Sequence, residues 1–167
     1  MVTWGKFADE APELAASGWR LLEAGGVGIA YLATVARDGR PRMTAVCPIF
    51  AEDNLYLSVG AETPKRFDLA SDGRYVLHAP LGESDEEFQI SGRATLVVDR
   101  YERRTVHSAI PFSFQVGDPV FALKIDRCLW AAWENAGQPN TRPIRKIWRA
   151  ALSGDAAVAS FASRSRV

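Results

Sequence analysis

The chain has 167 residues, 47% of them hydrophobic and 24% charged, with 20 basic side chains balanced by 20 acidic ones. That is enough chain for one domain to bury a continuous core without metals or disulfides, in the proportions of an ordinary globular protein. A neutral balance excludes broad, non-specific nucleic-acid binding, which needs a basic surface to displace counterions. It leaves room for a local cationic pocket that takes one phosphate.

Cys47 and Cys128 each stand in an apolar stretch and read as free buried thiols in a reducing compartment. Met1 to Glu10 lacks a basic stretch followed by an apolar core, and no apolar run reaches membrane-spanning length, so the expectation is a cytoplasmic protein.

In chain order, Asp9 to Glu23 predicts a helix with Pro12 in its first turn, Leu14, Gly18, Leu21 and Leu22 on one face, and Gly25-Gly26 as its stop. From Val27 the period changes to two. A strand to Val35 turns at Arg37-Asp38-Gly39-Arg40 into a second, Arg42 to Phe50, and Glu52-Asp53-Asn54 turns that into a third, Leu55 to Val59. Short polar turns between them predict an antiparallel meander. Thr63 then caps a helix that opens on Pro64 and runs to about Ser71, with Gly73 ending it. A strand over Arg74–Ala79, an acidic loop over Gly82–Glu86 and a strand over Phe88–Val98 follow, with Phe88, Ile90 and Gly92 sharing a face. Asp99 and Glu102 have the spacing of a capping box for a short helix that stops before Pro111. Val120–Trp133 and Ile144–Ala150 are the last strands.

Six or seven strands with short helices between them predict a mainly β protein with flanking helices, an antiparallel barrel closed or nearly so. The expected division is a single domain over residues 1–152 and an Ala/Ser-rich tail over 153–167.

The sharpest local feature is Thr63-Pro64-Lys65-Arg66. A helix N-terminus presents unpaired N–H groups and a partial positive charge, and so attracts phosphate. Cations in that first turn oppose the helix dipole by a few tenths of a kcal/mol, a conflict that an anion would relieve. The alternative is a solvated helix start with two surface cations. Arg42 and Thr44 lie two apart on the second strand and point to one side; Met43, Ala45, Cys47 and Ile49, on the other, read as core. Ser58 joins Arg42 and Thr44 if the meander pairs in order. A charged hydrogen bond contributes roughly 1.5–3 kcal/mol, so such a cluster would anchor a nucleotide phosphate.

The succession Gly28-Ile29-Ala30-Tyr31-Leu32-Ala33-Thr34-Val35, Asp38-Gly39-Arg40-Pro41, Leu55-Tyr56-Leu57-Ser58, Thr63-Pro64-Lys65 and Glu87-Phe88-Gln89-Ile90-Ser91-Gly92-Arg93-Ala94 resembles the pyridoxamine 5'-phosphate oxidase-like, FMN-binding split-barrel family. The resemblance covers about Val27 to Val98 well and the final strands loosely. It implies a split β-barrel and a homodimer with FMN in each of two clefts between subunits. It also implies that Arg42 or Thr44, Ser58 with Thr63, and Lys65 with Arg66 hold the phosphate, the flavin ring lying along Ala45 to Pro48. Cys47-Pro48-Ile49 stands where the authentic oxidase carries a basic residue, and that enzyme's C-terminal substrate signature is not recognisable. The expected function is therefore an FMN-binding oxidoreductase of this group with an unspecified small-molecule substrate. The alternatives are a deazaflavin-dependent reductase of the same fold and a non-catalytic flavin-binding or sensing module.

No side chain reads as a general acid or base. Trp130, Trp133 and Trp148, among Arg142, Arg145, Lys146 and Arg149, read as core and interface, with Arg142 and Arg145 as candidates to line a cleft. His78 and His107 lack metal-ligand companions, and Glu83 to Glu87 reads as a solvated acidic loop.

Overall fold

Thr3 opens the first helix, its hydroxyl accepting the Lys6 N–H at 3.2 Å. That helix, α1 (Trp4–Glu10), is followed after one residue by α2 (Pro12–Leu22) in the computed structural model, which describes residues 1–23 and 26–151. The single helix expected over Asp9–Glu23 is thus two. Pro12 has no N–H to continue α1 and holds Ala11 out of helical geometry (φ −144°, ψ 63°), so the ladder stops at the Ala11 N–H bond to Phe7 O. The predicted face of α2 is correct: Leu14, Gly18, Leu21 and Leu22 are buried. Gly25 and the tail 153–167 lie outside the described residues.

Eight strands follow: β1 (Ala30–Val35), β2 (Pro41–Val46), β3 (Ile49–Ala51), β4 (Asn54–Ser58), β5 (Arg74–His78), β6 (Glu87–Leu96), β7 (Val120–Glu134) and β8 (Arg142–Arg149). Helix α3 (Pro64–Ser71) lies between β4 and β5, and α4 (Arg100–Ala109) between β6 and β7. All pair antiparallel, in the order β2-β1-β5-β6-β7-β4-β3, with β8 added to the far half of β7. The two ends of this path are consecutive in sequence, because the strand expected over Arg42–Phe50 breaks at Cys47-Pro48. Its first half pairs with β1 and its second with β4. The sheet therefore curls into a split barrel, and the meander pairing of three successive strands does not occur.

The break also inverts the expected faces. Period two, counted back from buried Ile49, points Met43 and Ala45 inward, but residues 47–48 shift the phase by one. Val46 is buried, Arg42 and Thr44 are half-buried, and Met43 is 72% exposed. Phe7, Phe88, Phe121, Leu32, Leu57 and Ile90 fill the interior, each fully buried apolar side chain contributing roughly 1.5–3 kcal/mol. Helices α1 and α2 close the barrel with an aromatic cluster in which Trp4 and Trp19 sit 4.8 and 4.4 Å from Phe50 and Phe7 sits 4.9 Å from Trp148. A bulge at Ser91/Gly92 lets β6 follow the curl, and a β-carbon on Gly92 would fall 1.9 Å from Lys124 O. No helix among the described residues is long and apolar enough to cross a membrane.

Candidate functional site

Helix α3 starts at Pro64, as the sequence predicts, and ends against Gly73 in the left-handed region (φ 76°). Thr63 takes the extended N-cap conformation without capping through its side chain. Its hydroxyl instead donates to Gly60 O at 2.7 Å. No acidic residue stands in the first turn of α3, and Lys65 and Arg66 have no carboxylate at ion-pair distance among the described residues. Arg66 lies over the Phe67 ring, 4.7 Å from its centroid. The helix start is therefore electropositive, although the Arg66 N–H already donates to Thr63 O at 3.0 Å.

Arg42 reaches the same region from β2. It lines a groove of about 480 Å³ between the β1–β2 turn and the start of α3, together with Arg37, Arg40, Glu62, Pro64 and Phe67. Part of its charge is already committed. Its Nε donates to Asp68 Oδ2 at 2.9 Å, and Thr34 Oγ1 donates to the same oxygen at 2.8 Å. Asp68 is the residue of this region that sequence reasoning misses. Its signal is faint: one acid beside Leu69, the two being the buried residues of α3.

Thr44 and Ser58 do not line that groove. Each carries a hydroxyl oxygen that is buried without a hydrogen-bond partner. Thr44 pairs with Leu32, deeper along β2. Continuing the register of Ile49↔Tyr56 and Ala51↔Asn54 places Ser58 opposite Cys47, at the strand break. A buried hydroxyl without a partner is destabilising by about 1–3 kcal/mol, so two of them near a break mark a place where the chain's own bonding is incomplete. Cys47 takes no part in either neighbouring ladder.

The C-terminal aromatics divide. Trp130 is half-buried and donates through Nε1 to Glu86 Oε1 at 2.6 Å. Trp148 packs on Phe7, while Trp133 is exposed. Arg142 pairs with Glu134, and Lys146 with Glu13 at 2.8 Å; Arg145 is exposed on β8. Within the acidic loop, Glu86 takes two bonds from Arg20 Nη2, at 2.7 and 2.6 Å. It is a structural anchor there, not a solvated charge. Among the described residues no group of three or more His, Cys, Asp or Glu side chains is placed to hold a metal ion.

No protein-family model matches the sequence, and no curated protein matches it significantly. Solved structures do match in fold. A NimC/NimA family protein from Clostridium acetobutylicum superposes with a TM-score of 0.59 at 12% identity, over 85% of this chain and 96% of that one. A protein related to general stress protein 26, of the pyridoxinephosphate oxidase family, from the same organism gives 0.55 at 15% identity, over 85% and 94%. A heme binding protein from Mycobacterium smegmatis gives 0.51 at 21% identity, over 75% of this chain and 55% of that one. At these identities the likeness is one of fold. The chain is an antiparallel split barrel with the architecture of the pyridoxamine 5'-phosphate oxidase-like proteins.

Proposed function

We propose that the chain binds FMN by its phosphate at the start of α3 and serves as a flavin-dependent oxidoreductase acting on a small molecule. The observation that carries this reading is a run of features along one short stretch of chain, from the end of β4 into α3. A helix start bears Lys65 and Arg66 with neither an acid nor a side-chain cap, and the strand feeding it ends in Ser58, whose buried Oγ has no partner. A phosphate dianion satisfies all three. Thr63 enters through its backbone position, since its hydroxyl proton is taken by Gly60 O. Arg42, steadied by Asp68, lines the adjacent groove, and the ladder-free backbone of Cys47 offers polar groups to a flat ring. Thr44 Oγ1 is the second unpartnered hydroxyl on that inner face.

FMN would supply the hydride and electron chemistry; the protein's part is to hold the phosphate, orient the ring and exclude water. A second copy fits the outer face of β1 and β2, where Met43 is 72% and Tyr31 45% exposed. Across that face Met43 pairs with Ala33, and Tyr31 with Ala45. An apolar stripe of this kind suits a homodimer.

The test is titration of the purified protein with FMN, followed by absorbance and quenching of tryptophan. Saturable binding that weakens at least ~10-fold in the Lys65→Ala/Arg66→Ala double variant supports the reading. Protein that stays colourless and binds no FMN sinks it. Selective binding of a deazaflavin coenzyme transfers the phosphate site to that hydride carrier. A haem Soret band without flavin binding replaces the proposal altogether.

A further inference from the structure

Helix α4 turns a second cationic face toward a different groove. Arg100, Arg103, Arg104 and His107 line an open surface groove of about 730 Å³, with the exposed Val98 and Val116 at its edges. The helical repeat places these four side chains within an arc of about 100°. None of the three guanidiniums has a carboxylate at ion-pair distance among the described residues. The nearby acids hydrogen-bond neutral groups and reach none of the three guanidiniums at ion-pair distance. Asp99 Oδ1 accepts the Glu102 N–H at 2.8 Å, and Glu102 Oε1 accepts the Tyr56 hydroxyl at 2.9 Å. Asp118 accepts the N–H groups of Ala61 and Gln115, each at 3.3 Å.

One guanidinium of the three has a hydrogen-bond partner among the described residues, and that partner is uncharged. Arg103 Nη2 donates to Val116 O at 3.4 Å. The His107 ring packs on Phe114 with centroids 4.8 Å apart, and its Nε2 is buried without a partner. Like charges three and four residues apart repel, and Arg100 in the first turn opposes the helix dipole. In a chain of zero net charge, three guanidiniums along one groove with no carboxylate at ion-pair distance among the described residues are a local arrangement.

We propose that this face of α4 is a second binding site, for a small organic molecule carrying two or more phosphates. The guanidinium fork matches phosphate oxygens two at a time. Three guanidiniums along one groove offer forks for more than one phosphate. Val98 and Val116 offer apolar contact to its uncharged body.

The experiment is isothermal titration of the full chain with ATP, inorganic triphosphate and adenosine. ATP and triphosphate bind saturably, and adenosine does not. Arg103→Gln/Arg104→Gln lowers affinity for both phosphates at least ~10-fold and retains the wild-type circular-dichroism spectrum. Arg103→Lys/Arg104→Lys, which keeps charge but loses the fork, falls between. Lys65→Ala/Arg66→Ala leaves this binding unchanged, which separates the site from the flavin-phosphate reading. Absence of saturable binding up to about 1 mM probe, or equal binding by the Gln variant, overturns the proposal. So does binding of single-stranded nucleic acid with none of free triphosphate.

Discussion

Arg42 and Asp68 form a one-sided ion pair: the aspartate side chain is buried at 6% exposure, while the arginine side chain keeps 38% of its surface in water. The asymmetry decides what each substitution does. Arg42→Met strands a buried carboxylate with only the Thr34 hydroxyl for company. The loss is expected to be about 2–3 kcal/mol, below the value for a fully buried pair because the cation is partly solvated. Asp68→Asn keeps the Thr34 contact and lets Arg42 turn outward, so it should be milder. Urea unfolding of both variants and of Arg42→Met/Asp68→Leu checks this. Equal losses in the two single variants would contradict the asymmetry.

Glu86 links α2 to β7 through Arg20 and Trp130. Burial pushes its carboxyl up, but hydrogen bonds from Arg20 and Trp130, with the Arg20 charge, outweigh that and hold it below the ordinary carboxylate value. A depressed folded value stabilises the protein above the unfolded carboxyl pKa of about 4.3 and ceases to do so as pH falls through the folded value. Stability should therefore decline on acidification below about pH 5, and Glu86→Gln should flatten that limb while lowering stability at neutral pH. The readout is the urea midpoint against pH, followed by tryptophan fluorescence. A limb unchanged in Glu86→Gln would assign the acid sensitivity to other carboxylates.

At Gly92 the strands approach too closely for any side chain. Because the conflicting atom is the backbone Lys124 O, 1.9 Å from where a β-carbon would stand, no rotamer change relieves it. Gly92→Ala should destabilise by roughly 1–3 kcal/mol or more, although alanine is the better residue for chain entropy. Thermal unfolding decides; a neutral or stabilising result would mean that β6 and β7 part freely at the bulge.

Much of this fold is legible in the sequence. Pro64 at a helix start, Asp99 three residues before Glu102, and the alternation of Phe88, Ile90 and Gly92 are local signals, and local chemistry determines them. The elements that sequence reasoning misplaces each depend on something non-local. Counting from Ile49 places Met43 inside because nothing in Cys47-Pro48 alone announces that the two half-strands join opposite ends of a sheet. Thr63 has the chemistry to cap α3 through its hydroxyl, but Gly60 O, three residues back, takes it first. Asp68 gives little local sign of its role because its partners, Thr34 and Arg42, are brought to it only by barrel closure.

The two thiols should differ in reactivity. Cys128 is fully buried, and burial pushes its thiol up to about 12, with the Arg127 charge a smaller opposing influence. Cys47 is half-buried at the strand break. A disulfide reagent applied to the native protein should label one thiol readily, and Cys47→Ser should abolish that fast phase. Two fast equivalents, or a fast phase surviving in Cys47→Ser, would show that Cys128 is accessible.

The strand break at Cys47-Pro48 also works as a tether of fixed length. Three Cα steps from Val46 to Ile49 span at most about 11 Å. A flat sheet would hold the first and seventh strands of the path about 29 Å apart, at roughly 4.8 Å per interval. The chain therefore has no planar option. Curvature that strand twist would otherwise leave adjustable is required by a short covalent link, and lengthening that link would relax the circumference before it weakened any single strand pair.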